Sequence, residues 1–189
     1  MAILNAGSAQ LTNSLGLISG VAASMTDSKL PDAQAGYEKA LTTLAAGLAG
    51  GNLIYESAGM FGSLLGVSFE GFVIDNDILG SVQRIVRGIE VNGDTLDLEA
   101  IEYSIRGEGH FLGGDQTLKA MQRDYFYPPL SDRESPDAWA EAGKTDMHSR
   151  AHKRAQLLLG KNCPSHISQD ADNLVRSRYK IHLSSRYAQ

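Results

Sequence analysis

Only 7 of the Asp, Glu, Lys and Arg residues of this chain fall in residues 1–74, and the other 32 fall in residues 75–189. A solvated helix or strand carries charge on its outer face, so a stretch this poor in charge must spend most of its length inside. The first part therefore reads as interior and the second as wrapping. Residues 2–15 suit a helix that runs into "GLISGV", a short strand ended by small residues. The turn "TDSKLPD" follows. Pro31 is expected in the first turn of the next helix, "DAQAGYEKALTTLAAGLAG", which stops at Gly50 and Gly51. "NLIYES" reads as a strand, and "SFEGFVIDNDILGSVQRIVRGI" as a long amphipathic helix with Phe69, Phe72, Val73, Leu79, Val82, Ile85 and Val86 on its apolar side.

Helix, strand, helix, strand, helix is the alternation of a parallel α/β fold, in which strands are covered on both faces. From Asp94 onward only helices are expected, in "TLDLEAIEYSIRG", "GDQTLKAMQRDYF", "SPDAWAEAGKTDMHSRAHKRAQLLLG" and "SQDADNLVRSRYKIHL". The chain thus divides into an α/β part, residues 1–93, and a helical C-terminal extension, residues 94–189. Two parallel strands do not make a stable sheet. The apolar start at "MAILNAGSAQ" adds to the expectation that this chain is a fragment whose other strands are missing.

Several function classes drop out. A net charge of −5 and a pI near 5.5 lack the basic surplus of a sequence-independent nucleic-acid binder. No run reaches the roughly 18 apolar residues of a membrane span, and no signal peptide opens the chain, so a soluble, cytoplasmic protein is expected. The one cysteine, Cys163, can form no internal disulfide and no Cys-rich metal framework, and it fits a reducing compartment.

Functional groups of parallel α/β folds cluster where loops leave the carboxyl ends of strands. Two loops qualify. "SMTDSKLPDAQ" offers Thr26, Asp27, Lys29, Asp32 and Gln34, and "YESAGM" offers Tyr55, Glu56 and Ser57. Glu56 has two readings: a carboxylate at a cavity mouth that attracts a cation, with Tyr55 supplying a π face, or a structural group that caps the next element or pairs with a lysine. Ordinary capping chemistry suffices for Asp27 and Lys29. Tyr37 reads as a core tyrosine and Glu38 as part of a surface pair. His110, among the glycines of "GEGHFLGGD", sits either in a ligand-approaching turn or in a plain helix connector. His148 and His152 lie four apart, but a solvated face is the simpler reading and no metal site is expected. Asp75 and Asp77 are expected at the surface or in caps, and Trp139 as a packing anchor.

Taken together, "TDSKLPDAQAGYEKALTTLAAGLAGGNLIYESAGM", "SFEGFVIDNDILGSVQRIVRGIEV", "GEGHFLGGDQTLKAMQRDYFYPPLSDRESPDAWAEAG" and "RSRYKIHL" resemble the C-terminal part of the corrinoid-dependent trimethylamine methyltransferase family, from about residue 2 to residue 183. The resemblance implies the C-terminal part of a TIM (β/α)8 barrel followed by a helical extension. It implies transfer of a methyl group from a methylated amine to the cobalt of a separate corrinoid protein, with no cofactor bound directly by this chain. Some members carry pyrrolysine and demethylate trimethylamine, whereas others lack it and take quaternary amines such as glycine betaine. No pyrrolysine is visible here.

Carried onto this sequence, Glu56 and Tyr55 would line the cavity near the ammonium, and the loop from Asp27 to Gln34 would form part of its rim. His110 would lie near the mouth where the corrinoid protein docks. Some members without pyrrolysine carry histidine where Glu56 stands. An acid there favours a substrate with no carboxylate of its own, hence trimethylamine over a betaine. No general acid or base is assigned. A betaine-type methyltransferase, or a non-catalytic helical fragment, are the rival expectations, and a homo-oligomer is compatible with all of them.

Overall fold

The computed structural model of the chain describes residues 1–107, 109–161 and 167–182, with Lys161 described by its backbone alone. Cys163 and the readings attached to it lie outside the described residues, as do Glu108 of "GEGHFLGGD" and Leu183 of "RSRYKIHL".

The N-terminal part alternates as expected: α1 (Ala2–Ser14), β1 (Gly20–Ala22), α2 (Ala33–Leu48) and β2 (Leu53–Tyr55). β1 and β2 are parallel and in register, with Gly20 opposite Leu53 and Ala22 opposite Tyr55. α2 starts two residues beyond Pro31. Asp32 is its N-cap and accepts from Ala35 N at 3.0 Å, so Pro31 precedes the cap instead of occupying the first turn. The helix ends where Gly50 takes a φ of +83°, a turn pinned by Asn13 Nδ2 donating to Gly50 O at 2.8 Å.

Ala9, Val21, Ala23 and Ala46 form the buried core here, with Ala49 and Ile54 packed on it. Small side chains let α1, α2 and the strands approach closely. The helices cover only one face of the strand pair: Val21 is buried, while Leu53 and Tyr55 on the opposite face are 59% and 45% exposed. The expectation of strands covered on both faces is thus met on one face only by the described residues.

Two very short strands that periodicity did not reveal follow: β3 (Met60–Phe61) and β4 (Gly66–Val67), an antiparallel hairpin. Runs of two residues carry no period. Then comes α3 (Phe69–Arg87), capped by Ser68 Oγ accepting from Gly71 N at 3.1 Å and ended by Gly88 at a φ of +72°. α3 packs on α2 and, on another side, on α8 (Met147–Lys161).

The remaining chain is helical, as expected: α4 (Gly93–Leu96), α5 (Leu98–Arg106), α6 (Asp115–Asp124), α7 (Pro136–Glu141) and α9 (Gln169–Arg178). The single helix expected across residues 135–160 is two. Gly143 at a φ of +95° and Lys144 at +53° break it, and Trp139 Nε1 donates to Thr145 O at 3.1 Å across the break. Trp139 therefore anchors the α7–α8 turn. Among the described residues no helix is long and apolar enough to cross a membrane.

α8 is tied to α3 by His152, whose Nδ1 lies 2.7 Å from Glu70 Oε1. That contact, with Glu70's own backbone N–H and Ser68 Oγ, lowers the Glu70 carboxyl from 4.5 to about 2. Because the folded value lies below the unfolded one, this contribution to stability is present above pH 4.5 and fades as pH falls toward 2. Glu70→Gln is expected to flatten the acid limb of the stability curve across that window, which urea denaturation at stepped pH measures.

Candidate functional site

Because β1 and β2 run parallel, the loops leaving their carboxyl ends emerge on the same side. Ser24 and Glu56, one just beyond each strand, both take left-handed backbone, at φ values of +66° and +57°. Non-glycine residues occupy this region at a cost, and such positions gather at functional sites.

The two loops are cross-linked through the hairpin. Gly62 N donates to Ser28 O at 2.8 Å and Ser63 N to Thr26 O at 3.1 Å, while Ser63 Oγ donates to Asp27 Oδ1. Glu38, inside α2, braces the first loop. Its Oε2 accepts from Thr26 Oγ at 2.5 Å and from Asp27 N at 3.0 Å, and its Oε1 from Gln34 Nε2 at 2.9 Å. The Thr26 hydroxyl, then Gln34, holds the Glu38 carboxyl below its usual range. Glu38 is thus a loop brace and not a member of a surface pair, and Tyr37 is 56% exposed instead of lying in the core.

The sequence candidates separate on this frame. Asp27 is committed to Ser63 of the hairpin and Gln34 to Glu38 within α2, and Lys29 Nζ donates to Asp27 O at 2.8 Å. Tyr55 is exposed on the uncovered face of the strand pair, and Glu56, the next residue, is exposed as well. Neither the cap nor the lysine partner of the structural reading occurs at Glu56: its carboxylate has no hydrogen bond or ion pair among the described residues. His110 lies elsewhere, in the α5–α6 connection, where its carbonyl accepts from Ser104 Oγ at 2.7 Å. It lines a cavity of about 730 Å³ with Tyr103, Ser104 and Phe111, whose walls come from residues 95–117 and include nothing from the strand-end loops. Among the described residues no cluster of His, Cys, Asp and Glu could hold a metal ion.

Sequence reasoning missed the centre beneath the loops. Asp75 and Asp77, expected at the surface or in caps, are both buried. Asp75 Oδ2 accepts from Lys39 Nζ at 2.5 Å and from Gly59 N at 2.7 Å, and Lys39 also lies 4.2 Å from the centre of the Phe61 ring. Burial pushes the Asp75 carboxyl up, against the pull of Lys39 and the Gly59 N–H. Asp77 Oδ2 accepts from Leu130 N at 2.9 Å, fastening the segment after α6 onto α3. A signal was available: Asp75 falls at the helical spacing of Phe72, Leu79 and Val82, and Lys39 at that of Ala35, Thr43 and Ala46. A charge on an apolar stripe needs a partner.

The strands run parallel and are backed by helices, with a carboxylate and an aromatic ring at their carboxyl ends, the end where parallel α/β folds place their ligand sites. The chain belongs to the trimethylamine methyltransferase (MTTB) family, whose profile matches residues 1–180. It is 41% identical over 160 residues to the trimethylamine methyltransferase MttB of Methanosarcina thermophila, covering 84% of this chain and 32% of that protein. Against the Methanosarcina barkeri trimethylamine methyltransferase MttB it is 39% identical over 171 residues, 90% of this chain and 34% of the relative. It is also 34% identical over 171 residues to the glycine betaine methyltransferase of Desulfitobacterium hafniense (strain Y51), 90% of this chain and 35% of that protein. The chain spans about a third of the length of these relatives.

Proposed function

We propose that this chain supplies the last βα units and the helical extension of a TIM-barrel methyltransferase that moves a methyl group from trimethylamine to the cobalt of a partner corrinoid protein. Family membership supports the reaction class. The observation that carries the reading of the site is the Tyr55–Glu56 pair, presented at the carboxyl end of parallel strands with the acid unpartnered among the described residues. The uncovered strand face that carries Leu53 and Tyr55 would be the barrel interior, and further parallel strands would close it.

In the transfer, the methyl carbon leaves nitrogen and its bond pair stays on the departing dimethylamine. The electron pair of the new cobalt–carbon bond comes from the reduced acceptor. A trimethylammonium ion releases a neutral amine, so no general base is required. The chain's own groups then have two tasks, to hold the cation and to orient one N–CH₃ bond toward the acceptor. Glu56 attracts the ammonium, and the Tyr55 ring faces it. A betaine would bring its own carboxylate against Glu56, and like charges repel.

Titration of the full-length protein with trimethylamine and with glycine betaine tests this reading. Trimethylamine is expected to bind more tightly. Glu56→Gln is expected to weaken it by roughly tenfold, the equivalent of about 1.4 kcal/mol of lost attraction, without lowering Tm. Preferential betaine binding would shift the assignment to the activity named for the Desulfitobacterium relative, and binding of neither would remove the amine site.

A further inference from the structure

The turn that carries Glu56 hangs between two fixed points. One is the end of β2, where Ser57 Oγ donates back to Ile54 O at 3.1 Å. The other is Gly59, held on both sides of its peptide: its N–H donates to Asp75 Oδ2 at 2.7 Å, and its carbonyl accepts from Ser68 N at 3.0 Å. Only Glu56, Ser57 and Ala58 lie between. Wherever Asp75 sits, Gly59 follows, and the left-handed Glu56 follows Gly59.

Asp75 in turn is fixed from α2. The same oxygen that accepts from Gly59 accepts from Lys39, while Oδ1 has no hydrogen-bond partner among the described residues. Replacing a buried ion pair with well-packed apolar residues is often neutral or stabilising, so stability alone is a weak reason to bury one. What an apolar pair could not supply is an acceptor for the Gly59 N–H, and an unsatisfied buried donor frees the turn or costs stability.

We propose that Asp75, held by Lys39, is a positioning residue for the site: it fixes the Gly59 peptide and so sets where Glu56 presents its carboxylate. The assignment rests on the amine-binding reading of Glu56 for its functional consequence, and on the hydrogen bonds alone for its structural one.

Two double variants of the full-length protein separate positioning from stability. Lys39→Met with Asp75→Asn removes both charges and keeps an acceptor for Gly59. Lys39→Met with Asp75→Leu removes both charges and the acceptor. Amide hydrogen exchange across residues 56–59 is expected to stay near the wild-type rate in the Asn variant and to rise roughly tenfold or more in the Leu variant, at similar Tm. Trimethylamine affinity is expected to fall about tenfold in the Leu variant only.

Equal exchange in the two variants, fast or slow, would overturn the proposal. If the Leu variant does not fold, the Asn variant still decides, because faster exchange at 56–59 with the acceptor retained contradicts it. If the exchange pattern holds but the wild-type protein binds no amine, the positioning stands and the amine reading is what fails.

Discussion

Lys39→Met, made alone, is expected to lower the unfolding free energy by about 3–5 kcal/mol. Lys39 and Asp75 are each 1% exposed, so removing the ammonium strands a carboxylate in the interior with one backbone N–H for company. Water cannot reach it in the folded state, whereas the unfolded chain solvates it fully. The ammonium's contact with the Phe61 ring is lost as well. Urea denaturation monitored by circular dichroism measures the change. A loss below about 1 kcal/mol would mean that the pair is open to solvent, and burial would no longer explain its energetics. The single variant should be far worse than either double variant, since the cost lies in the unpaired charge and not in the absent bond.

Gly59→Ala carries the second large effect, an expected loss of about 2–5 kcal/mol. Gly59 takes a φ of +77°, where an L side chain costs about 1–2 kcal/mol. An added Cβ would also overlap the Phe72 ring, and overpacking a filled site costs a further 1–3 kcal/mol or so. Gly62 provides an internal control. It too is left-handed, at a φ of +57°, but an added Cβ there meets nothing within 4 Å. Gly62→Ala is therefore expected to show the conformational cost alone, at about 1–2 kcal/mol. Thermal denaturation of the two variants side by side checks the difference. Equal losses would show that Phe72 yields and that the Gly59 turn is less tightly packed than its geometry indicates.

Much of the N-terminal part was legible because its signals are long. α2 and α3 carry helical spacing over many residues, and their capping residues, Asp32 and Ser68, stand where capping chemistry places them. The hairpin was not legible, since two-residue strands have no period and are defined by Gly62, Ser63 and Leu64 turning through positive φ. The pairing of the two strands was readable as parallel from the intervening helix alone.

The candidate site was half legible. Glu56 stood out as an acid at the end of an apolar run, and the structure presents it there beside Tyr55. Asp27 and Gln34 looked like functional groups for the same reason, polar side chains in a strand-end loop. What sequence could not convey is that Glu38 and Ser63 already occupy their hydrogen bonds. Lys39 and Asp75 each stand on an apolar helical stripe, which signals that each needs a partner, but they are 36 residues apart in the chain and nothing local says that they pair with each other. The resemblance put His110 near the mouth where the corrinoid protein would dock; its turn lines a cavity among α4, α5 and α6.

The central claim is the transfer of a methyl group from trimethylamine to a corrinoid acceptor. The most direct measurement mixes the full-length protein with a reduced corrinoid protein and trimethylamine, following methyl-cobalt formation by absorbance and dimethylamine by mass spectrometry. The account predicts one dimethylamine released for each methyl-cobalt formed, a slower reaction with glycine betaine, and loss of apparent affinity for trimethylamine in Glu56→Gln. Methyl transfer from glycine betaine in preference to trimethylamine, or from neither, would contradict it.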